Sequence, residues 1–225
     1  MITLYQHPVS PFCITIEAIL KYAKAPYRTV NLPYSDRRII VEKTQGQYYK
    51  IPLLEDGDLL VWDKTDLGQE IAGYLDGKFK LELFPPKHDG LQLILARYLE
   101  HEVEAVSFKL NDLDYEAWLP DLYDRTMFVR HKERKFGAGC LAQWRDQQDR
   151  LQQELEALLF PLDRLLAQHC FLIDHRPRFV DVDLFGVLGN YLFSGRNQIP
   201  PPFTHLHHWH REMTRVIGHE ASAPP

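Results

Sequence analysis

Residues 2–22 read ITLYQHPVSPFCITIEAILKY, which is a short apolar strand followed closely by an amphipathic helix. The helix is predicted to begin near Pro11, because Ser10 is a favoured N-cap residue and proline at the first helical position has its φ already set. The N–H groups of a first helical turn are unpaired and, together with the helix dipole, they favour an anion. The turn from Ser10 to Cys13 is therefore a candidate site for thiolate chemistry.

A second informative stretch, residues 49–63, reads YKIPLLEDGDLLVWD. It predicts two strands joined at Asp56-Gly57, a dipeptide that favours a hairpin turn, and then a helix from about Asp63 to Leu75. A further strand is predicted from Tyr27 to Leu32, with a short helix after it. The order strand, helix, strand, helix, hairpin, helix is typical of a thioredoxin-like unit.

The composition indicates a globular protein and excludes several classes. The chain has 225 residues, 45% of them hydrophobic, and a formal net charge of −5, which argues against a general nucleic-acid binder. No apolar run is long enough to span a membrane, and the N-terminus lacks the pattern of a signal peptide. The three cysteines are far apart, so we expect no disulfide framework and a cytoplasmic protein.

The second half of the chain carries helical patterns only. The stretch Phe84-Pro85-Pro86-Lys87 lies in a predicted linker at 79–88, because it cannot continue a helix. The predicted elements after it are helices at 90–110, 144–168 (kinked or split by Pro161), 182–193 and 203–217, an irregular aromatic-rich segment at 111–140, and a disordered tail at 220–225.

Three motifs, in this order and spacing, resemble the glutathione transferase superfamily. They are Ser10-Pro11-Phe12-Cys13, the run KIPLLEDG at 50–57, and Trp62-Asp63 before the third helix. The resemblance covers residues 1–78, and the remainder agrees only as an all-helical pattern. It implies an α/β thioredoxin-like domain at 1–78 that binds glutathione and an all-α domain at 89–219 that binds a co-substrate. It further implies a homodimer whose co-substrate is an apolar electrophile. The net charge and the hydropathy argue independently against a nucleic-acid or membrane partner, and we expect no metal.

The resemblance leaves two candidates for the residue nearest the glutathione sulfur. In related transferases a serine at the position of Ser10 contacts the sulfur and favours its thiolate, whereas the simpler interpretation is a helix N-cap. Cys13 is the alternative, because the motif is similar to the Cys-Pro-Phe-Cys of glutaredoxins with the first cysteine replaced. Cys13 could then serve a glutathione reductase or lyase activity, or it could be a packing residue.

The resemblance also implies how glutathione is held in the first domain. A cis Ile51-Pro52 bond would turn the backbone of Ile51 toward the peptide, which would pair with it as an added strand; a trans proline opening a strand is the alternative. Phe12 and Lys50 belong to the same implied site, and Lys50 would meet the glycine carboxylate. Looser candidates nearby are Arg37, Arg38 and Gln47.

The γ-glutamyl end of glutathione is assigned by the resemblance to Asp63 and Lys64. Related proteins have an acid followed by Ser or Thr here, so Asp63 matches and Lys64 does not. Lys64 could pair with a carboxylate or block the site. Because Lys64 departs from the pattern, a non-catalytic binding or scaffold protein of the same fold stays open as a second interpretation.

The helical half contributes weaker signals. The aromatic residues of 111–140 are interpreted either as a co-substrate site or as core and dimer contacts, and the basic run at 130–135 is unusual in an acidic protein. Arg178 replaces the serine of a Ser-x-x-Asp capping box whose acid is Asp181. The histidines between His205 and His210 are interpreted as surface or packing residues, not as a metal site. The aromatic residues of 111–140 that are candidates for the co-substrate site are Tyr115, Trp118, Tyr123 and Phe128.

Overall fold

The structure is a computed structural model that describes residues 1–65, 68–119 and 121–218. The predicted disordered tail at 220–225 lies outside these ranges. The strands are β1 (Ile2–Gln6), β2 (Tyr27–Asn31), β3 (Leu53–Asp56) and β4 (Leu59–Val61). The helices are α1 (Pro11–Tyr22), α2 (Arg38–Lys43), α3 (Glu70–Phe79), α4 (Asp89–Tyr98), α5 (Glu104–Trp118), α6 (Leu122–Phe136), α7 (Cys140–Asp146), α8 (Gln148–Leu166), α9 (Phe179–Leu192) and α10 (Thr204–Ile217).

The four strands form one mixed sheet in the order β2-β1-β3-β4. Strand β1 runs parallel to β2 and antiparallel to β3, with Leu4 opposite Thr29 on one side and Leu54 on the other. The hairpin turn lies at Gly57-Asp58, where Gly57 has a φ of 62°. This arrangement confirms the predicted thioredoxin-like unit followed by helices.

Alternation along the strands divides the core between the two faces of the sheet. Leu4 and Leu54 pack with Ile19 of α1 in the large cluster that continues into the helical half of the chain. Their neighbours Tyr5 and Leu53 point the other way and pack under α2 in a separate, smaller cluster. The sheet is therefore covered on both faces, and α1 lies between it and the later helices.

The third helix begins later than predicted. It starts at Glu70 and not at Asp63, and between them the Gly68 N–H donates to the Thr65 carbonyl. Asp63 nevertheless caps the helix from a distance, because its Oδ1 accepts from the N–H of Ile71 at 3.1 Å. Asp63 therefore does cap a helix, but the N–H group from which it accepts a hydrogen bond belongs to a residue eight positions further along the chain.

Most of the described residues of 111–140 are helical, so the prediction of an irregular stretch was wrong. Residues 89–118 form one helical path in which a π-helical turn at Leu99–Val103 joins α4 to α5, and α6 follows. Aromatic side chains along α5 and α6 pack against each other, as in the Tyr115–Phe128 pair, and tertiary packing overrides their modest helix propensity.

The predicted helix at 144–168 also differs from the structure. The break lies at Gln147, between α7 and α8, whereas Pro161 is accommodated inside α8. None of the helices in the described residues has the combined length and apolar character needed to span a membrane.

Helix α9 is buried along nearly its whole length and packs closely on α1. A Cβ added at Gly186 would lie 2.6 Å from the carbonyl oxygen of Pro11, so only glycine permits this approach. Asn190 adds a polar contact, because its Nδ2 donates to the Val9 carbonyl at 2.7 Å. The start of α1, which carries Ser10, is therefore held directly by the helical half.

The replaced capping residue at the start of α9 does not disrupt the helix. Asp181 accepts from the backbone N–H of Arg178 at 2.9 Å, and it also accepts from Leu172 and Trp209. The guanidinium of Arg178 donates to Asp174 at 2.8 Å. A single buried carboxylate thus joins the start of α9 to two other segments.

Candidate functional site

A cleft of about 430 Å³ lies between the sheet domain and the helical half. One side is formed by 7–12, which includes the start of α1, by residues between β2 and α2, and by Tyr49–Ile51 before β3. The other side is formed by α5 and α6. The volume is within the range of about 300–1,000 Å³ that small-molecule sites occupy.

Ser10 lies in this cleft at the N-cap position of α1, with extended backbone angles. Its side chain makes no capping hydrogen bond, so the expected cap is positional only. The hydroxyl instead lies beside the thiol of Cys13, where its hydrogen bond slightly offsets the effect of burial on the pKa of that thiol. Ser10 and the first two residues of α1, Pro11 and Phe12, line the same part of the cleft.

Cys13 lies one turn into α1 with none of its surface exposed. Burial raises the pKa of the Cys13 thiol to about 11, against smaller lowering contributions from the His7 backbone and the Ser10 hydroxyl. A thiol with this pKa is almost wholly protonated at neutral pH and is a poor nucleophile. The geometry therefore favours a packing role at Cys13 over thiol chemistry.

The segment before β3 brings two predicted residues to the site, and the start of α1 brings a third. The Ile51-Pro52 peptide bond is cis, and Ile51 and Lys50 line the cleft together with Phe12. Pro52 itself is buried behind them. These residues and Ser10 lie around the same cavity, although they come from two distant parts of the sequence.

Asp63 and Lys64 do not line the cleft. The Asp63 carboxylate is engaged at the start of α3, and burial raises its pKa to about 6. The backbone N–H of Lys64 donates to Glu70 at 3.2 Å. The γ-glutamyl role of these two residues stays a prediction.

His7 is a cleft residue that sequence reasoning missed. Its Nδ1 lies 2.9 Å from the Leu32 carbonyl oxygen and its Nε2 lies 2.6 Å from the Tyr115 hydroxyl. Burial lowers the pKa of His7, so the neutral ring donates from Nδ1 and accepts the Tyr115 proton at Nε2. This contact joins β1 to α5 beside Ser10, and nothing in the local sequence around His7 signals it.

Arg37, a looser candidate from the sequence, is a half-buried cation in the cleft. Its Nη1 donates to the carbonyls of Pro33 and Asp36, and burial lowers the pKa of its guanidinium. No carboxylate of the described residues lies within ion-pair distance of it. Arg38 instead pairs with Asp36 outside the cleft, and Gln47 does not line it either.

The helical side of the cleft contains a nearly buried ion pair. Lys132 of α6 lies 2.5 Å from Asp112 of α5, and its ammonium lies over the rings of Phe108 and Phe128 at 4.6 and 5.3 Å. Glu104 lines the same region, and burial raises its pKa to about 7. Sequence reasoning noted the basic run at 130–135 but did not place it in the site.

The aromatic candidates separate into two groups. Tyr115 and Phe128 line the cleft, whereas Trp118 and Tyr123 do not. Among the histidines near the C-terminus, His210 stacks on Phe185 with ring centroids 5.4 Å apart. In the described part of the chain no three His, Cys, Asp or Glu side chains are grouped as metal ligands.

Comparison with known proteins finds one matching family model and solved structures of the same fold. Residues 4–81 match the family model "Glutathione S-transferase, N-terminal domain". A glutathione S-transferase of Ceriporiopsis subvermispora, solved with glutathione, superposes with a TM-score of 0.78 at 15% identity, covering 99% of this chain and 98% of that chain. No curated protein sequence matches the chain.

Two further solved structures have the same fold. A glutathione transferase of Phanerochaete chrysosporium gives a TM-score of 0.78 at 18% identity, covering 99% of this chain and 98% of that chain. Glutaredoxin 2 of Salmonella typhimurium, solved with glutathione, gives a TM-score of 0.76 at 19% identity, covering 97% of this chain and 95% of that chain. Residues 4–81 therefore match the model of a glutathione S-transferase N-terminal domain, and the chain as a whole shares the fold of these glutathione transferases.

Proposed function

We propose that the protein is a glutathione transferase-like enzyme that activates the thiol of glutathione for attack on an electrophile. The observation that carries the proposal is the place of Ser10, which lines the cleft at the start of α1 and whose hydroxyl makes no capping bond. Structurally similar proteins from Ceriporiopsis subvermispora and Salmonella typhimurium were solved with glutathione, which supports the choice of ligand.

Thiolate stabilisation would be the main catalytic contribution. The Ser10 hydroxyl donates to the sulfur, and the N-terminus of α1 favours its negative charge. Each unit by which the thiol pKa falls corresponds to about 1.4 kcal/mol of selective stabilisation of the thiolate. The thiol proton leaves to solvent, the sulfur lone pair forms the new bond to the electrophile, and a leaving group departs with its bonding pair. Proximity of the two substrates supplies the rest.

The peptide part of glutathione would lie along the segment before β3. The backbone of Ile51 pairs with the cysteinyl unit in the manner of an added strand, with Pro52 behind it and Phe12 beside it. Lys50 and the half-buried Arg37 supply positive charge for a carboxylate. The assignment of the γ-glutamyl end to Asp63 and Lys64 is carried over as a prediction from the resemblance.

Burial of Cys13 favours Ser10 as the residue nearest the sulfur. A reductase or lyase activity at Cys13 needs an accessible thiolate, whereas this thiol is buried and its pKa is raised to about 11. We therefore expect Ser10→Ala to lower the rate of conjugation strongly near neutral pH and Cys13→Ser to leave most of it.

We further propose that the protein is a cytoplasmic homodimer. The cysteines Cys13, Cys140 and Cys170 are all unpaired thiols, which suits a reducing compartment. Helix α4 exposes Leu91, Leu93 and Ile94, and a second copy would cover such apolar side chains. Light scattering measures the assembly directly.

Thermal unfolding with glutathione tests the core of the proposal. A ligand that binds only the native state raises its stability, by about 2.7 kcal/mol when its concentration is a hundred times its Kd. We expect the melting temperature to rise in millimolar glutathione and to stay constant with the same concentration of an unrelated tripeptide. A shift without conjugation of any electrophile would favour the non-catalytic binding protein, and no shift would overturn both interpretations.

A further inference from the structure

The basic run of α6 faces the cleft. Met127, His131, Arg134 and Lys135 follow the i, i+4, i+7, i+8 spacing of one helical stripe, and all four line the cavity. The one acid of the run, Glu133, does not line it: its carboxylate pairs with Arg130 at 2.5 Å and accepts the Gly139 N–H at 3.0 Å. The acid and one cation of the run are thus engaged with each other outside the cleft, and the remaining cations are directed into it.

Carboxylates on this side of the cleft offset these cations only in part. Asp112 is engaged with Lys132, and Glu104 has its pKa raised to about 7 by burial, so it is largely uncharged below that pH. Neither Arg134 nor Lys135 has a carboxylate partner within 4.0 Å in the described ranges. This part of the cavity is therefore positive, although the whole chain carries a net charge of −5.

Next to these cations lies an aromatic pocket. Phe108, Phe128 and Phe136 line the cleft. The rings of Phe108 and Phe136 have centroids 5.4 Å apart and both contact Trp144, and the Lys132 ammonium lies over Phe108 and Phe128. Such a pocket takes a planar ring by stacking and burial of apolar surface. Ring and cations together form a site for a molecule with an aromatic body and an anionic end.

We propose that the electrophilic co-substrate is an aromatic compound that carries a negatively charged group such as a carboxylate. This inference rests on the proposed transferase function and names the substrate class of the same cleft. The ring packs against the cleft-lining Phe108 and Phe136, and the anion pairs with Arg134 and Lys135. For a halogenated aromatic acid, the glutathione sulfur bonds to the ring carbon that carries the halogen, and halide leaves with the bonding pair of the carbon–halogen bond.

The test compares two product conjugates that differ in one ring substituent. Calorimetry measures binding of S-(dinitrophenyl)glutathione, which has a neutral ring, and S-(carboxynitrophenyl)glutathione, which has an anionic one. We expect the anionic conjugate to bind more tightly by about fivefold at low salt, the size expected for two exposed ion pairs, and the preference to shrink as salt is added.

The double variant Arg134→Gln with Lys135→Gln should remove this preference and leave glutathione affinity unchanged. The matched control is Arg130→Gln, on the same helix but outside the cavity, and it should keep the preference. Melting temperatures of both variants check that they fold. Both side chains of the double variant are exposed, so no core contact is lost.

The outcomes separate this inference from the function on which it rests. Equal binding of the two conjugates, or tighter binding of the neutral one, overturns the anionic substrate class while the transferase proposal stands. Conjugates that bind no more tightly than glutathione overturn the aromatic pocket as well. If neither conjugate nor glutathione binds, the proposed function itself is wrong and the inference is lost with it.

Discussion

The Nε2 atom of His7 lies 2.6 Å from the hydroxyl oxygen of Tyr115, a residue 108 positions further along the chain. His7 follows β1 and lies three residues before Ser10, whose N–H donates to the His7 carbonyl at 2.9 Å. The imidazole therefore connects the turn that carries the candidate serine to a helix of the second half. The position of Ser10 depends on how the two halves pack.

Replacing Tyr115 with Phe should destabilise the protein. The ring is kept, but Nε2 of the half-buried His7 loses its donor, and an unsatisfied buried acceptor costs about 1–3 kcal/mol. Urea unfolding measures the loss. The matched control is Tyr123→Phe, whose side chain is exposed and should change stability by less than about 0.5 kcal/mol. Equal effects of the two substitutions would show that the His7 contact contributes nothing.

Ser10→Ala should raise the pKa of the glutathione thiol in the complex, because a donor to the thiolate is lost. We expect kcat/KM near neutral pH to fall by about 10-fold for each unit of that rise, and to recover partly as pH increases. Ultraviolet absorbance of the thiolate reports its pKa directly. Cys13→Ala is the control, and it should leave this pKa in place. If Cys13→Ala removed activity and Ser10→Ala did not, the assignment of the sulfur contact would be reversed.

Gly186→Ala should weaken the contact between α9 and α1. The added methyl group would lie 2.6 Å from the Pro11 carbonyl oxygen, and overpacking of this kind costs about 1–3 kcal/mol. Gly73→Ala is the control, since no heavy atom lies within 4 Å of the added group and alanine is the better helix former by about 1 kcal/mol. The melting temperature should fall for the first variant and rise for the second; a fall in both would indicate a general intolerance of α3 and α9 to substitution.

Asp63 should make stability depend on pH. Its pKa is raised to about 6 in the folded protein, against about 3.9 in an unfolded chain, so the folded state favours the protonated carboxyl. The stabilisation of the folded state by protonated Asp63 is complete below about pH 4 and is lost as pH rises through about 6. Asp63→Asn keeps an acceptor for the Ile71 N–H and should therefore be at least as stable as the natural protein at pH 7.5. The advantage should disappear near pH 4.

The variant Asp63→Ala separates the cap from the charge. This variant lacks the acceptor for the Ile71 N–H, so its free energy of unfolding should fall by about 1 kcal/mol even at low pH, the usual cost of removing an N-cap side chain. Chemical unfolding at the two pH values measures both quantities. A pH profile of Asp63→Asn that parallels the natural protein would mean that this carboxyl does not titrate differently on folding.

Local signals in the sequence account for most of the sheet domain. Ser10-Pro11 marks the start of α1 and Gly57 marks the hairpin, because N-caps and turns are set by residues within a few positions. The start of α3 could not be predicted in this way, since Asp63 caps a residue eight positions away. The helices at 111–140 were missed for a related reason: their aromatic side chains are poor local evidence for a helix and are stabilised by packing across α5 and α6.

The sequence by itself determined the order of strands and helices up to α3, the place of Ser10 at a helix start, and the family resemblance of 1–78. Tertiary structure alone decided that Cys13 is buried, that His7 meets Tyr115, and that the cations of α6 face the cleft. Each of these depends on contacts between residues far apart in the chain. Burial, pKa and the side that a helix presents are properties of such contacts, so they exist only once the two halves have packed together.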